Sequence, residues 1–337
     1  MDLNVYGIGN PLIDIICRVS DQDLSELGLD KGIMRLVDDS ERTQILEHIS
    51  GREISFACGG SCPNTLIFLS ALGITTALAG KIGNDEYGRL YAENLPEDHL
   101  NSQLIFDEGK TGSSIILVSP DSERTMNTYL GVNRNFGPGD VDIGIVAAAS
   151  YLYFTGYMWD TEPQKQSVLK AIRTLKRNKD DPKVVFDIAD PFAAGRNAEE
   201  FVQLIHDCVD IVFANREEAQ ILVKGKDPAD SVEALSKISE IAVVKNGAKG
   251  SYIKEKGKPS IHIPARNIRA VDTTGAGDMY ASGFIFGLCS GMSIRDSGIC
   301  ATYLASRVVE QYGAQFTPAE RCRVAEEIHT GRWRFLT

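Results

Sequence analysis

The sequence predicts an α/β protein: a mostly parallel sheet with helices on both faces, plus a small β subdomain. Three observations lead there. Strand-like apolar runs alternate with helix-period segments through most of the 337 residues. Two stretches, 12–37 and 104–130, break that alternation with strand-like runs and no intervening helix. The composition, 43% hydrophobic and 24% charged, suits a globular chain able to build one large core and a smaller second unit.

In order, NVYGIG (4–9) opens as a strand. SCPNTLIFLSAL (61–72) reads as a helix closed by Gly73, and ITTALAG (74–80) as a strand. YLYFTG (151–156) is a strand, and 163–178 an amphipathic helix with Pro163 near its start and basic residues in its last turn. KVVFDIAD (183–190), DIVFAN (210–215) and EIAVVKNG (240–247) are buried-type strands, separated by helices at 198–208 and 229–238. IHI (261–263) and NIRAV (267–271) read as short strands before a helix. Residues 293–313 hold one or two more helices. The expected large unit is 1–11, 38–103 and 131–337; the small one is 12–37 and 104–130. On such sheets ligands bind at the carboxyl ends of strands, where Asn10, Asp187, Asp190 and Asn215 fall.

The formal net charge of -11 argues against nucleic acid or an anionic membrane as partner, since both attract basic surfaces. A small anionic ligand needs only a local positive site. Seven cysteines, an odd number without a C-x-x-C pair, read as reduced thiols. The first residues lack a basic and then apolar leader, and no run approaches 18 apolar residues. The expectation is a soluble, cytoplasmic protein with a small-molecule substrate.

The most informative stretch is DTTGAGDMYASGF, 272–284. Ala281, Phe284, Ile285 and Leu288 recur at i, i+3, i+4 and i+7, one face of a helix. The turn before it holds Gly275 and Gly277, which let an anion approach the unpaired amides of the first helical turn. Asp278 lies at the edge of that pocket. Neither G-x-x-x-x-G-K-[ST] nor G-x-G-x-x-G is present there. Read alone, an acid at a helix start also simply suits the helix dipole.

Taken with Gly59-Gly60, Asn64, Ala71-Leu72-Gly73 and GKIGNDEYG (80–88), the stretch strongly resembles the signature set of the ribokinase-like (pfkB) family of sugar and nucleoside kinases. GNPLID (9–14), RTMNTYLG (124–131) and TGYMWD (155–160) resemble its adenosine kinase-like members. The matches keep the family's order from residue 5 to about 315. The resemblance implies a Rossmann-like domain with a small β lid. It also implies transfer of the ATP γ-phosphoryl group to a primary hydroxyl, here the 5′-hydroxyl of a purine nucleoside, adenosine first. Other readings are a sugar kinase of the same family and a non-catalytic nucleoside or sugar sensor. A dinucleotide oxidoreductase does not fit, because GIGNPL lacks the glycine fingerprint. ATP and Mg²⁺ are the implied cofactors, with a monovalent cation as a further candidate and a monomer or homodimer as the assembly.

By the same resemblance, Asp278 is the catalytic base, and Gly275, Ala276 and Gly277 give amides to the phosphoryl group, with Thr274 beside them. Asp14 binds sugar hydroxyls; Asn10, Gly59, Gly60 and Asn64 complete that pocket. Asn215 and Glu218, as N-x-x-E, serve the metal and phosphates, Glu218 through water. Lys245, Gly247 and Gly250 fall in the nucleotide loop, where the family often has Thr in place of Lys245. The adenine of ATP is expected beside Ala301 and Ala305. Arg124 either reaches the phosphates, locks the lid or lies on the surface. Leu12, Met34, Leu36, Met126, Leu130 and Tyr157, with Met158 and Trp159, either cover a nucleoside base or pack the lid's own core.

Overall fold

The strands of the computed structural model, which describes residues 3–121 and 123–335, are β1 (Val5–Ile8), β2 (Leu12–Arg18), β3 (Met34–Leu36), β4 (Ile54–Gly59), β5 (Thr76–Gly83), β6 (Leu100–Asp107), β7 (Ser113–Val118), β8 (Arg124–Tyr129), β9 (Tyr151–Thr155), β10 (Lys183–Asp187), β11 (Ile211–Asn215), β12 (Ile241–Lys245), β13 (Ser251–Glu255) and β14 (Ile261–Ile263). The expected outer limits, 1 and 337, lie outside the described residues. The larger sheet has the order β14-β13-β12-β11-β10-β9-β1-β5-β6, parallel from β12 to β6 and antiparallel at β12-β13-β14.

Alternate residues of these strands feed two cores. Val5, Val185 and Val243 face one layer of helices; Tyr6, Phe186 and Val244 face the other. Burial on both faces is why the strands read as continuous apolar runs. The parallel register sets the carboxyl ends in a row. Thr155 pairs with Asp187 across β9 and β10, and Asn215 pairs with Lys245 across β11 and β12.

The smaller sheet has the order β3-β8-β7-β2-β4. Its period of two gives it two different faces. Ile13, Ile15, Cys17, Ile115 and Leu117 build a core with Val37 and Ile45. Leu12, Asp14, Ile16, Ile116 and Met126 line a cleft against the larger domain.

Several expectations need correction. Ile54–Gly59 lies in the smaller sheet, outside the ranges expected for it, because it pairs antiparallel with β2. Residues 104–107 belong to β6 and pair with β5 in the larger sheet. The 12–37 stretch contains a helix, Asp21–Glu26, started by a Ser20 cap. NIRAV forms no strand: the Val271 amide donates to Val309 O at 2.7 Å, so this segment is tied to a helix end instead of a sheet. All seven cysteines are free. Among the described residues no helix is long and apolar enough to cross a membrane.

Candidate active site

Two helix starts lie side by side at the cleft, bonded to each other through Ser61, Asn64 and Asp278. Each follows a glycine, Gly60 before Ser61–Ala71 and Gly275 before Ala276–Cys289, and neither glycine can cap with a side chain. First-turn amides and the positive helix ends therefore remain for an anion. Gly275 is held at φ 75°, and a Cβ there would stand 2.5 Å from Ala314 O, so a side chain would break the turn. Among the described hydrogen bonds the Gly275 and Gly277 amides find no protein acceptor. Ala276 departs from expectation: its amide donates to Thr273 O at 3.2 Å.

Asp278 stands between these helix starts. Its Oδ1 accepts from Ser61 Oγ at 2.6 Å, and its Oδ2 from Asn64 Nδ2 at 2.8 Å. Burial pushes its carboxyl up to about 6, against the lowering effect of those two bonds. Asn64 is itself oriented by Gln315, whose Nε2 donates to Asn64 Oδ1 at 2.7 Å and to Cys58 O at 2.9 Å. An amide gripped at its oxygen must present its NH₂ to Asp278. Gln315 thus ties the smaller sheet, Asn64 and Asp278 together.

Asp14 faces the cleft from β2, and no hydrogen bond to its carboxylate is found among the described residues. Desolvation raises it to about 7, with Arg124 lowering and Asp278 raising it. A Cβ on Gly59 would fall 2.5 Å from Asp14 Oδ2, which is the spatial reason for glycine at that position. Asn10 is buried, and its Oδ1 accepts from Gln164 Nε2 at 2.6 Å. That leaves the Asn10 amide nitrogen for a ligand. Gly60, Asn64, Leu12, Met34, Leu36, Met126, Leu130 and Tyr157 also line the cleft.

Arg124 reaches from β8 to Asp272 in the larger domain, Nη2 to Oδ2. The same carboxylate accepts from Thr274 N at 3.0 Å, Thr274 Oγ1 at 2.7 Å and Gly313 N at 2.7 Å. One ion pair thus connects the smaller sheet to the start of the glycine turn.

At the other end, Asn215 caps Arg216–Val223 and Glu218 returns the contact. Glu218 Oε2 accepts from Asn215 N at 2.7 Å, and Oε1 from Asn215 Nδ2 at 2.6 Å. Glu218 is 1% exposed and its carboxyl is raised to about 7, first by burial. Lys245 Nζ bonds both Asp187 oxygens at 3.1 Å. Gly247, Gly250 and Ala305 line the same cleft.

Ala301 does not. It is fully buried against Gly283 of the neighbouring helix. The helix face that lines the cleft is Thr302, Ala305, Ser306 and Val309, at i, i+3, i+4 and i+7. Met158 and Trp159 also turn away. A 3₁₀ turn, Gly156–Trp159, sends them into the core, where Trp159 stacks on Phe154 at 5.9 Å. The cleft measures ≈ 1520 Å³. A usual small-molecule site is roughly 300–1,000 Å³, so there is room for two ligands side by side.

The model of the pfkB family carbohydrate kinases matches residues 29–321. The chain belongs to this family. An adenosine kinase from Sinorhizobium meliloti is similar in structure, with TM-score 0.89 and 32% identity, covering 97% of this chain and 100% of that one. A probable sugar kinase from Rhizobium etli is similar at TM-score 0.89 and 33% identity, covering 97% and 99%. A 5-dehydro-2-deoxygluconokinase of Halalkalibacterium halodurans is 29% identical over 268 residues, 76% of this chain and 80% of that protein. This pfkB kinase is accordingly an ATP-dependent phosphotransferase acting on a small-molecule alcohol, a sugar or a nucleoside.

The geometry suits that chemistry. A hydroxyl beside Asp278 can be oriented and deprotonated, and the glycine amides can stabilise the phosphoryl charge without reorganising. Both Glu218 oxygens are engaged, but a carboxylate has about four lone-pair sites. Two remain, which fits Mg²⁺ held through its water shell, the binding mode expected of this ion. Bound there, Mg²⁺ would supply charge neutralisation for the phosphates. Glu218→Gln should therefore raise the Mg²⁺ concentration for half-maximal rate by about tenfold, the usual scale for outer-shell partners. Acceptor affinity without ATP should stay unchanged. An Mg²⁺ titration alongside calorimetry checks both.

Among residues the sequence reading did not single out, Ser61, Asp272 and Gln315 stand out. Ser61 has a signal, the first helical position after Gly59-Gly60. Gln315 has none, because its partner Asn64 is 251 residues away.

Proposed function

We propose that the acceptor is a purine nucleoside, adenosine first, and that the γ-phosphoryl group goes to its 5′-hydroxyl with Asp278 as base. The observation that carries this reading is the apolar face of the smaller sheet. Leu12, Met34, Leu36, Met126 and Leu130 line the cleft around the open Asp14 carboxylate. The smaller sheet's own core uses the opposite face. An apolar wall beside a carboxylate suits a flat base joined to a ribose diol. A free sugar would leave that wall wet. Covering roughly 100 Å² of base contributes about 2–3 kcal/mol. The similarity to an adenosine kinase supports the same reading. A sugar acceptor is the second reading, favoured by the relatives named as a probable sugar kinase and a 5-dehydro-2-deoxygluconokinase.

The test is kcat/KM for adenosine, inosine, guanosine, ribose and fructose at saturating ATP and Mg²⁺. Adenosine should exceed the free sugars by about 10²-fold, the equivalent of that burial. Faster phosphorylation of ribose or fructose than of any nucleoside would move the enzyme to the sugar reading.

A further inference from the structure

The chemistry above leaves one buried charge pair without a use. Asp187 closes β10 and Lys245 closes β12, with β11 between them. Their side chains are 2% and 16% exposed. Taking two opposite charges out of water commonly costs as much as their attraction returns, and an apolar pair of similar volume is often as stable. Stability alone therefore does not account for the pair. Both residues line the cleft. A Cβ added to Gly277 would stand 3.3 Å from Lys245 Nζ, so the ammonium lies against the glycine turn. An ammonium has three donors. Asp187 takes two, and the described bonds give the third no acceptor.

Burial alone would depress this ammonium, but Asp187 and Glu218 more than offset that and hold its pKa above the ordinary lysine value. It is charged at neutral pH. Asp187, Glu218 and Asp278 all act on it electrostatically. Without a cation here, a phosphoryl group would enter a site bordered by carboxylates. Other cations line the cleft, but Arg52 is held by Asp23, Arg124 by Asp272, and Arg266 donates to Ser306 Oγ and lies over the Tyr303 ring, while Arg18 ends β2 four residues beyond Asp14.

We propose that Lys245 is a catalytic residue of the transfer: its remaining N–H bonds the phosphoryl group in flight, beside the Gly275 and Gly277 amides, while Asp187 holds the side chain in place. This rests on the phosphotransfer reading of the same site. In the step, the acceptor oxygen bonds to the γ-phosphorus as that phosphorus loses its bond to the β–γ bridging oxygen. The bridging electron pair leaves with ADP, and the acceptor's proton passes to Asp278. Lys245 neither gives nor takes a proton. Its charge meets the negative charge spread over the equatorial oxygens.

The test uses Lys245→Met and Lys245→Arg in the full-length enzyme, with the acceptor that wild type phosphorylates fastest among nucleosides and sugars. In Lys245→Met, kcat should fall about 10²–10³-fold, the scale of one lost charge-stabilising donor. Acceptor binding without ATP should stay within about twofold, and Lys245→Arg should recover about tenfold of the lost rate. A Lys245→Met kcat within about threefold of wild type overturns the proposal. So does parallel loss of kcat and acceptor binding with no recovery by Arg. If the unpaired Asp187 unfolds the single variant, Asp187→Leu/Lys245→Met removes both charges, and the same kcat criterion decides. A wild type that prefers a sugar defeats the adenosine reading alone, and the Lys245 outcome is then read on that sugar.

Discussion

Asp278→Asn should lower kcat by about 10²–10⁴-fold, the usual worth of a general base, while ATP and the acceptor still bind. The variant is a clean one. An Asn oxygen can accept from Asn64 Nδ2, and its NH₂ can donate to Ser61 Oγ, because a hydroxyl works in either direction. Shape and bonds survive; the proton acceptor does not. In the wild type the carboxyl stands at about 6, raised by burial. The rate should therefore climb with pH through about 6 and level off above it, since only the carboxylate accepts a proton. Stability runs the other way. The folded value lies above the ordinary aspartate value of 3.8. Asp278 thus contributes stability below about pH 3.8 that is lost as pH rises through about 6. Asp278→Asn should melt at a higher temperature than wild type at pH 8, and that gain should vanish near pH 4. A pH–rate profile with calorimetric scans at both pH values checks the two signs together. Near-wild-type kcat in the variant would remove Asp278 from the chemistry.

Asp14→Asn should raise the acceptor KM about 10–100-fold, with a smaller effect on kcat. The carboxylate lines the cleft without a described hydrogen bond, so its acceptor capacity is kept for a ligand. Hydrogen bonds to a charged group are worth about 1.5–3 kcal/mol each, and a ribose diol can donate two to one carboxylate. The carboxyl is raised to about 7, first by desolvation. Acceptor affinity in the wild type should accordingly strengthen as pH rises through about 7, and the Asn variant should lose that dependence. Titration calorimetry with acceptor alone, at pH 6 and pH 8, measures both effects. Unchanged affinity would mean that the acceptor's hydroxyls are held elsewhere.

The parts legible in the sequence are those with strong local signals. The central strands of the larger sheet are buried on both faces, so KVVFD and IAVVK stand out as unbroken apolar runs. The glycine turn is legible because turn, acid and helix period lie within seventeen adjacent residues, 272–288. Strand pairing is not local. Ile54–Gly59 joins the smaller sheet through partners about 40 residues earlier in the chain, and nothing in ISFACG announces them. Residues 104–107 have the look of a smaller-sheet strand but end Leu100–Asp107, the edge strand of the larger sheet. Ala301 and Ala305 share a helix and a residue type. Only the position of the Ala276–Cys289 helix decides that the first is buried and the second faces the cleft. The Gln315–Asn64–Asp278 chain joins three segments far apart in sequence, so only the fold can reveal it.

Product identification is the most direct measurement of whether Asp278, the glycine turn and the apolar face of the smaller sheet serve one transfer to a nucleoside. Wild-type enzyme with ATP, Mg²⁺ and adenosine would be followed by phosphorus NMR, with 5′-deoxyadenosine as control. The expected products are ADP and adenosine 5′-monophosphate in equal amounts, with no phosphorylated product from 5′-deoxyadenosine. Release of free phosphate without a phosphorylated nucleoside, or phosphate transfer to ribose in preference to adenosine, would contradict it.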